Sequence, residues 1–251
     1  MGVLIKFLLV FVFFKCAFCE EALLHPCNPS DMECLNKATE SFMSKTSVGI
    51  PEYGIKRLEP MELKHVEYAD PASDLIFHFK NITITGLKDQ KISDFKMDTT
   101  AKSVVLQTRM DLNFASDLTI EMKEATKLLS GTYKAKATTL MTTKYTYNLK
   151  PNSEGVEFFE VGPETITCQA IGVPEVTLDP QFTDTIANDP DAVARRADYE
   201  KRSTEIRQKS LCVIAAEAYG TVVGNIRAAA KVLPKTAFFK DILWHQHQFQ
   251  T

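Results

Sequence analysis

"LCVIAAEAYGTVVGNIRAAAKVLP", residues 211–234, decides the fold. Leu211, Ile214, Ala215, Ala218, Val222, Ile226, Ala229 and Leu233 recur every three or four positions, the spacing of one apolar helix face, and Pro234 stops the run. The helical pattern extends upstream through a charged part, 191–209, to the turn signal Asn188-Asp189-Pro190. At about 1.5 Å per residue, 203–233 alone reaches roughly 45 Å, too long for one side of an ordinary domain. Such a helix needs a partner of equal length to cover its stripe.

Strands upstream supply that partner. In "SVVLQTRMDLNF", 103–114, the even positions Val104, Leu106, Met110, Leu112 and Phe114 share one face. Leu118, Ile120 and Met122 keep the alternation beyond a turn expected at Ala115-Ser116-Asp117, so 118–126 reads as an antiparallel neighbour. From Gly131 the odd positions Tyr133, Ala135, Ala137, Thr139, Met141, Thr143, Tyr145 and Tyr147 form a run of about sixteen residues, well beyond the usual five or six. The expected strands are 64–68, 75–85, 92–97, 102–114, 118–126, 132–149 and 156–178, the last broken at Gly162-Pro163. Strands this long coil strongly, and a coiled sheet beside a long helix wraps it. The fold class is therefore α+β, a long C-terminal helix inside a highly curved antiparallel sheet. Gly220 and Gly224, a G-x-x-x-G pair within a charge-interrupted helix, are expected to let helix and sheet approach closely.

The first nineteen residues form a separate unit. Lys6, the apolar run 7–14 and the small residues Ala17 and Cys19 have the organisation of a secretory signal peptide cut after Cys19, leaving 20–251 as one domain. Lys6 and Lys15 leave fewer than the roughly twenty apolar residues of a bilayer span. The net charge of −3 becomes −5 when those two lysines leave, so neither nucleic acid nor an anionic membrane surface attracts the protein at long range.

Cleavage also reduces the six cysteines to Cys27, Cys34, Cys168 and Cys212, and an even count in a secreted chain argues for disulfides. Cys27 and Cys34 are close enough to close a short loop, which pairs Cys168 with Cys212. Zinc and redox cysteine pairs use shorter spacings, so the first pair is a staple. It sits at the start of a short amphipathic helix, 31–48, capped by Asp31, carrying Met32, Leu35, Ala38 and Phe42 on one face, and stopped by Gly49-Ile50-Pro51.

Catalytic patterns are missing: no G-x-S-x-G elbow, P-loop, H-E-x-x-H or dinucleotide fingerprint occurs, and no cofactor is implied. His65 and His78 fall on separate expected strands, His25 adjoins the cysteine staple, and His245 and His247 lie in a solvated tail, so no metal site is expected. Asn81-Ile82-Thr83 is the one glycosylation sequon, since Pro29 spoils Asn28-Pro29-Ser30. Tyr145 and Tyr147 share a strand face with Met141. Buried tyrosines ordinarily pack and find one partner, but on a face that lines a cavity each hydroxyl becomes a polar handle for an apolar guest.

The stretches "CNPSDMECLNKATESF", "GIPEYGIKRLEP", "FKNITITGLKDQKISDFKMDTTAKSVVLQT", "YNLK", "PETITC" and "LCVIAAEAYGTVVGNIRAAAKVLP" together resemble, in order, the insect haemolymph juvenile hormone-binding proteins within the wider takeout-like group. The resemblance implies a tubular lipid-binding fold with both disulfides placed as above. It also implies a secreted, non-enzymatic haemolymph carrier of juvenile hormone, an apolar sesquiterpenoid methyl ester usually bearing an epoxide, solubilised and shielded from esterases. By position, Tyr145 matches a family tyrosine that donates a hydrogen bond to the epoxide oxygen, and the helix 31–48 resembles a mobile lid. Tyr147, Met141, Phe159 and Val222 complete the expected ligand-binding set. The region 184–207 and the terminal "WHQHQFQT" depart from the family pattern, and whether a cell-surface receptor reads the complex is left open by the sequence.

Two alternatives remain. A takeout-like carrier of a fatty acid, terpenoid or pigment shares the fold, but that broader group often lacks the second cysteine pair. A secreted hydrolase would turn over a labelled ester that a carrier returns intact.

Overall fold

Three of the six strands exceed twenty residues or reach that length, which makes the sheet as long as the helix it faces. The computed structural model describes residues 22–240. The expected signal peptide and the histidines at 245 and 247 lie outside those residues. Strands β1 (Met61–Ala69), β2 (Leu75–Thr85), β3 (Lys91–Asp98), β4 (Ser103–Met122), β5 (Lys127–Pro151) and β6 (Glu157–Leu178) form one sheet, all pairs antiparallel. The order is β1-β2-β4-β5-β6, with β3 pairing the first half of β4 where β2 pairs the second. Helix α1 (Met32–Thr46) precedes the sheet; α2 (Pro180–Asn188), α3 (Pro190–Val232) and the single turn α4 (Lys235–Phe238) follow it.

Helix α3 is 43 residues long, roughly 65 Å at 1.5 Å per residue, and β5, with 25 residues, spans about 80 Å. Helix α3 touches both β1 and β6, the two edges of the sheet, so the sheet must curl round it. The right-handed twist between neighbouring strands accumulates over that length into the curl. Leu211, Ile214, Ala215, Ala218, Val222 and Ala229 are buried as the apolar stripe requires, and Asp189 and Pro190 start the helix where the turn signal placed it. Fully buried Asn225 pins the segment before β1 to α3: Lys56 N–H donates to its Oδ1 (2.8 Å), and its Nδ2 donates to Lys56 O (2.7 Å).

Four expectations are corrected. There is no turn at 115–117 and no separate strand 118–126, because β4 runs unbroken to Met122 with β5 paired along its whole length. The parity of the sequence never changes there: Phe114, Ser116 and Leu118 are successive buried positions, and the real turn is at 123–126. Gly162-Pro163 does not break β6. The two residues bulge opposite Thr146 alone, which an edge strand tolerates, and an added Cβ on Gly162 would fall 2.9 Å from Thr146 Oγ1. Gly220 and Gly224 make no close approach, since an added Cβ on either meets nothing within 4 Å. The contact glycine is Gly131, where an added Cβ would fall 2.2 Å from Phe182 Cγ. Phe182 belongs to α2, which the strand pattern concealed although Asp179 caps it and Pro180 opens it.

Candidate ligand-binding site

At one end of the roll, α1 covers a cavity of about 150 Å³. Leu35, Ala38 and Phe42 of α1 form its roof, and Phe95, Val104 and Phe159 of the sheet form its floor. Phe159 is the hub of the apolar wall, edge-on to Tyr147 at 5.3 Å, to Phe238 at 5.8 Å and to Phe239 at 6.0 Å. Among the described residues no Lys, Arg, Asp or Glu lines this space, and His25 and Thr39 stand at its wall beside the tyrosines.

Polar character comes chiefly from the tyrosines. Burial pushes the Tyr145 phenol well above its ordinary value, so it stays protonated and can donate. Among the described residues its hydroxyl has no hydrogen-bond partner, whereas the neighbouring Tyr219 hydroxyl is taken by Thr108 Oγ1 at 2.7 Å. Burial, with the charge of Asp98 adding to it, pushes Tyr147 up to about 12, and burial pushes Tyr219 up to about 12. A donor held inside apolar walls discriminates strongly for a guest that carries an acceptor at that point.

The roof is rooted at one end and clipped in the middle. Cys27 and Cys34 are disulfide-bonded with Cα atoms 5.7 Å apart, and Cys34 N–H donates to the capping Asp31 Oδ1 at 3.0 Å. Cys27 N–H donates to Phe238 O (3.1 Å) and Lys240 N–H to Cys27 O (3.0 Å), so the root is joined to the segment following α3. Midway along α1, Asn36 acts as a substitute strand residue: its Oδ1 accepts from Ile92 N–H (2.8 Å) and its Nδ2 donates to Ile92 O (3.0 Å). The second disulfide, Cys168–Cys212, joins β6 to α3.

Tyr145, Tyr147 and Phe159 meet in this cavity. Met141 and Val222, both 0 % exposed, belong to the main core and line neither this cavity nor the one at the other end. Sequence reasoning missed Asn36, Phe95, Phe238 and Phe239. Only the apolar pair Phe238-Phe239, set in a polar tail just past Pro234, carried a signal. Asn81 is exposed at a bulge of β2 with φ +52°, its Nδ2 donating to Asp117 Oδ2 at 2.7 Å. At the far end of the roll a larger cavity, about 460 Å³, lies under α2 and the charged half of α3, with Arg195, Arg196 and Glu200 among its lining residues.

Residues 7–189 match the family model described as "Haemolymph juvenile hormone binding protein (JHBP)". The juvenile hormone-binding protein of Manduca sexta is 48 % identical over 224 residues, which cover 88 % of this chain and 97 % of that one. The crystal structure of Takeout 1 from Epiphyas postvittana superposes with a TM-score of 0.69 at 16 % identity, over 87 % of this chain and all of that one, and shows the same fold. The chain belongs to the haemolymph juvenile hormone binding protein family.

Proposed function

We propose that this protein is a secreted haemolymph carrier that holds juvenile hormone beneath α1, keeps it in solution and screens its ester from esterases. The Tyr145 hydroxyl, a protonated donor without a hydrogen-bond partner among the described residues in a largely apolar cavity, carries this reading. Removing a few hundred Å² of terpenoid surface from water, at about 25 cal/mol per Å², supplies several kcal/mol before the guest's lost freedom is deducted. The cavity of about 150 Å³ is smaller than the roughly 300–1000 Å³ usual for small-molecule sites, so α1 must lift to admit the hormone and settle over it afterwards. Amide exchange in α1 should therefore slow on hormone binding.

The protein acts by binding alone and returns a labelled ester intact. No helix among the described residues is long and apolar enough to cross a membrane, consistent with a carrier that does not insert stably. On this reading Asn81 carries an N-linked glycan, which its exposure supports, and a glycosylated amide keeps the one N–H needed for the bond to Asp117.

The decisive experiment compares epoxide hormone with its olefin analogue on Tyr145→Phe. Loss of one neutral hydrogen bond, about 0.5–1.5 kcal/mol, should weaken the epoxide about two- to thirteenfold and leave the olefin unchanged. Equal losses for both would remove Tyr145 as the epoxide donor, and tighter binding of a fatty acid than of hormone would favour the broader takeout-like role.

A further inference from the structure

On the outer face of the sheet, opposite the face that lines the larger cavity, three strands bring two histidines and two glutamates together. β1 presents His65 and Glu67, two positions apart and so on one face. β2 places His78 directly opposite Glu67, and β4 adds Glu121, two positions beyond the Thr119 that pairs with His78. The two imidazoles stack with centroids 5.9 Å apart and planes 15° from parallel. One donor atom each from His65, Glu67 and His78 lie within 4.8 Å of one another.

His78 is oriented from both sides. Its Nε2 stands 2.8 Å from Glu121 Oε2, and its Nδ1 3.4 Å from Glu67 Oε2. A carboxylate only accepts, so Nε2 carries the proton that bonds Glu121. Nδ1, on the other side of the ring, faces the Glu67 carboxylate, so the two atoms are aimed at one shared point. Metal-bound histidines characteristically donate their other N–H to a carboxylate, as His78 does to Glu121. Two ligands on a tetrahedral ion at about 2.0–2.1 Å are roughly 3.4 Å apart, the separation already present between His78 and Glu67.

We propose that His65, Glu67 and His78 form a three-ligand site for a divalent cation of the zinc class, with Glu121 as the positioning residue for His78 and a fourth position open to water. Imidazole and carboxylate together suit zinc, copper or nickel ions better than calcium or magnesium. Bound there, the ion cross-links the edge strand β1 to β2 from outside, independently of what the interior holds.

Titration of zinc chloride into the full chain carrying His245→Ala and His247→Ala, which removes the tail histidines, tests this. One zinc per chain with micromolar or tighter affinity is expected, together with a rise in Tm. His78→Ala should lose at least about a hundredfold, and Glu121→Gln, which keeps the ligands but weakens their orientation, about tenfold. Cobalt substituted at the site should show the visible absorption of a tetrahedral ion. Absence of saturable zinc binding below about 1 mM would overturn the site, and so would stoichiometry and affinity unchanged by His78→Ala with the variant folded.

Discussion

The two ends of the roll are closed in different ways. Over the Tyr145 cavity the cover is α1, a 15-residue helix whose disulfide ties it to its own root and whose polar hold on the sheet is the Asn36–Ile92 pair. Over the larger cavity the cover is α2 and the first half of α3, a helix continuous with the core stripe. Ion pairs fasten that end: Arg195 to Asp74 (2.7 Å), Arg202 to Asp70 (2.7 Å), and Lys127 to both Asp189 (2.7 Å) and Asp191 (2.6 Å). A cover that is a separate element can lift without disturbing the core. One that prolongs a core helix cannot, which is why the proposed access route lies at the α1 end although the other cavity is larger.

The sharpest division should come from the disulfides. Cross-linking residues 44 apart constrains the unfolded chain more than cross-linking residues seven apart, by about 4 against 2.4 kcal/mol on loop entropy. Cys168→Ser with Cys212→Ser should lower the unfolding free energy by roughly the larger amount in urea titration. Cys27→Ser with Cys34→Ser should cost less in urea but release hormone faster, because it loosens the root of α1. Equal stability losses, with hormone release unaffected in both, would contradict the division. Next in size, Ala38→Phe places a ring in the small cavity and should weaken hormone binding about a hundredfold, near 2.7 kcal/mol, while Ala192→Phe in the far cavity leaves it unchanged. The opposite pattern would move the hormone to the other end.

How much of this was legible in the sequence follows from what periodicity can and cannot carry. Period 3.6 fixed the stripe of α3, and period 2 fixed the buried faces of β4 and β5, because a one-residue slip would expose a whole face. Ala115-Ser116-Asp117 misled because its composition suits a turn, while the parity running through Ser116 said otherwise. Helix α2 was lost because nine residues give too few repeats to outweigh the strand before them. Periodicity also tells which face a residue occupies but not how far along the roll it lies. Tyr145 and Met141 share a face, yet four residues separate a cavity wall from a filled core. Asn36, Phe95 and the 238–239 pair reach the site only through tertiary approach, and so does the pairing of His78 with Glu67.

The clip on α1 can be cut without touching the cavity wall. Asn36→Ala removes both bonds to Ile92, a part-buried N–H and C=O that α1 would otherwise cover. At about 1–2 kcal/mol, hormone should dissociate roughly tenfold faster in stopped-flow exchange, with α1 amides losing protection in the free protein. Arg202→Ala at the other end should lower Tm and leave that rate alone. If both variants speed release alike, the roll opens as a whole and α1 is no separate gate.

The smallest effect expected is from acid, and its sign is fixed by the carboxylates at the far end. Hydrogen bonding to Arg195 holds Asp74 below its ordinary value of 3.8. Asp70, which burial alone would raise, is likewise held down by bonds from Ser73 and Arg202. A folded value below the unfolded one means that the native state binds fewer protons, so the stabilisation is full well above 3.8 and fades as pH falls through that value toward the folded ones. Both pairs are partly solvated, which keeps the effect modest. The α1 clip contains no titrating group, since Asn36 meets only backbone. Lowering the pH from about 5 to 3 should therefore increase amide exchange first in the charged half of α3 and only later in α1. The reverse order would mean that the ion pairs contribute nothing and that the far end is held by packing alone.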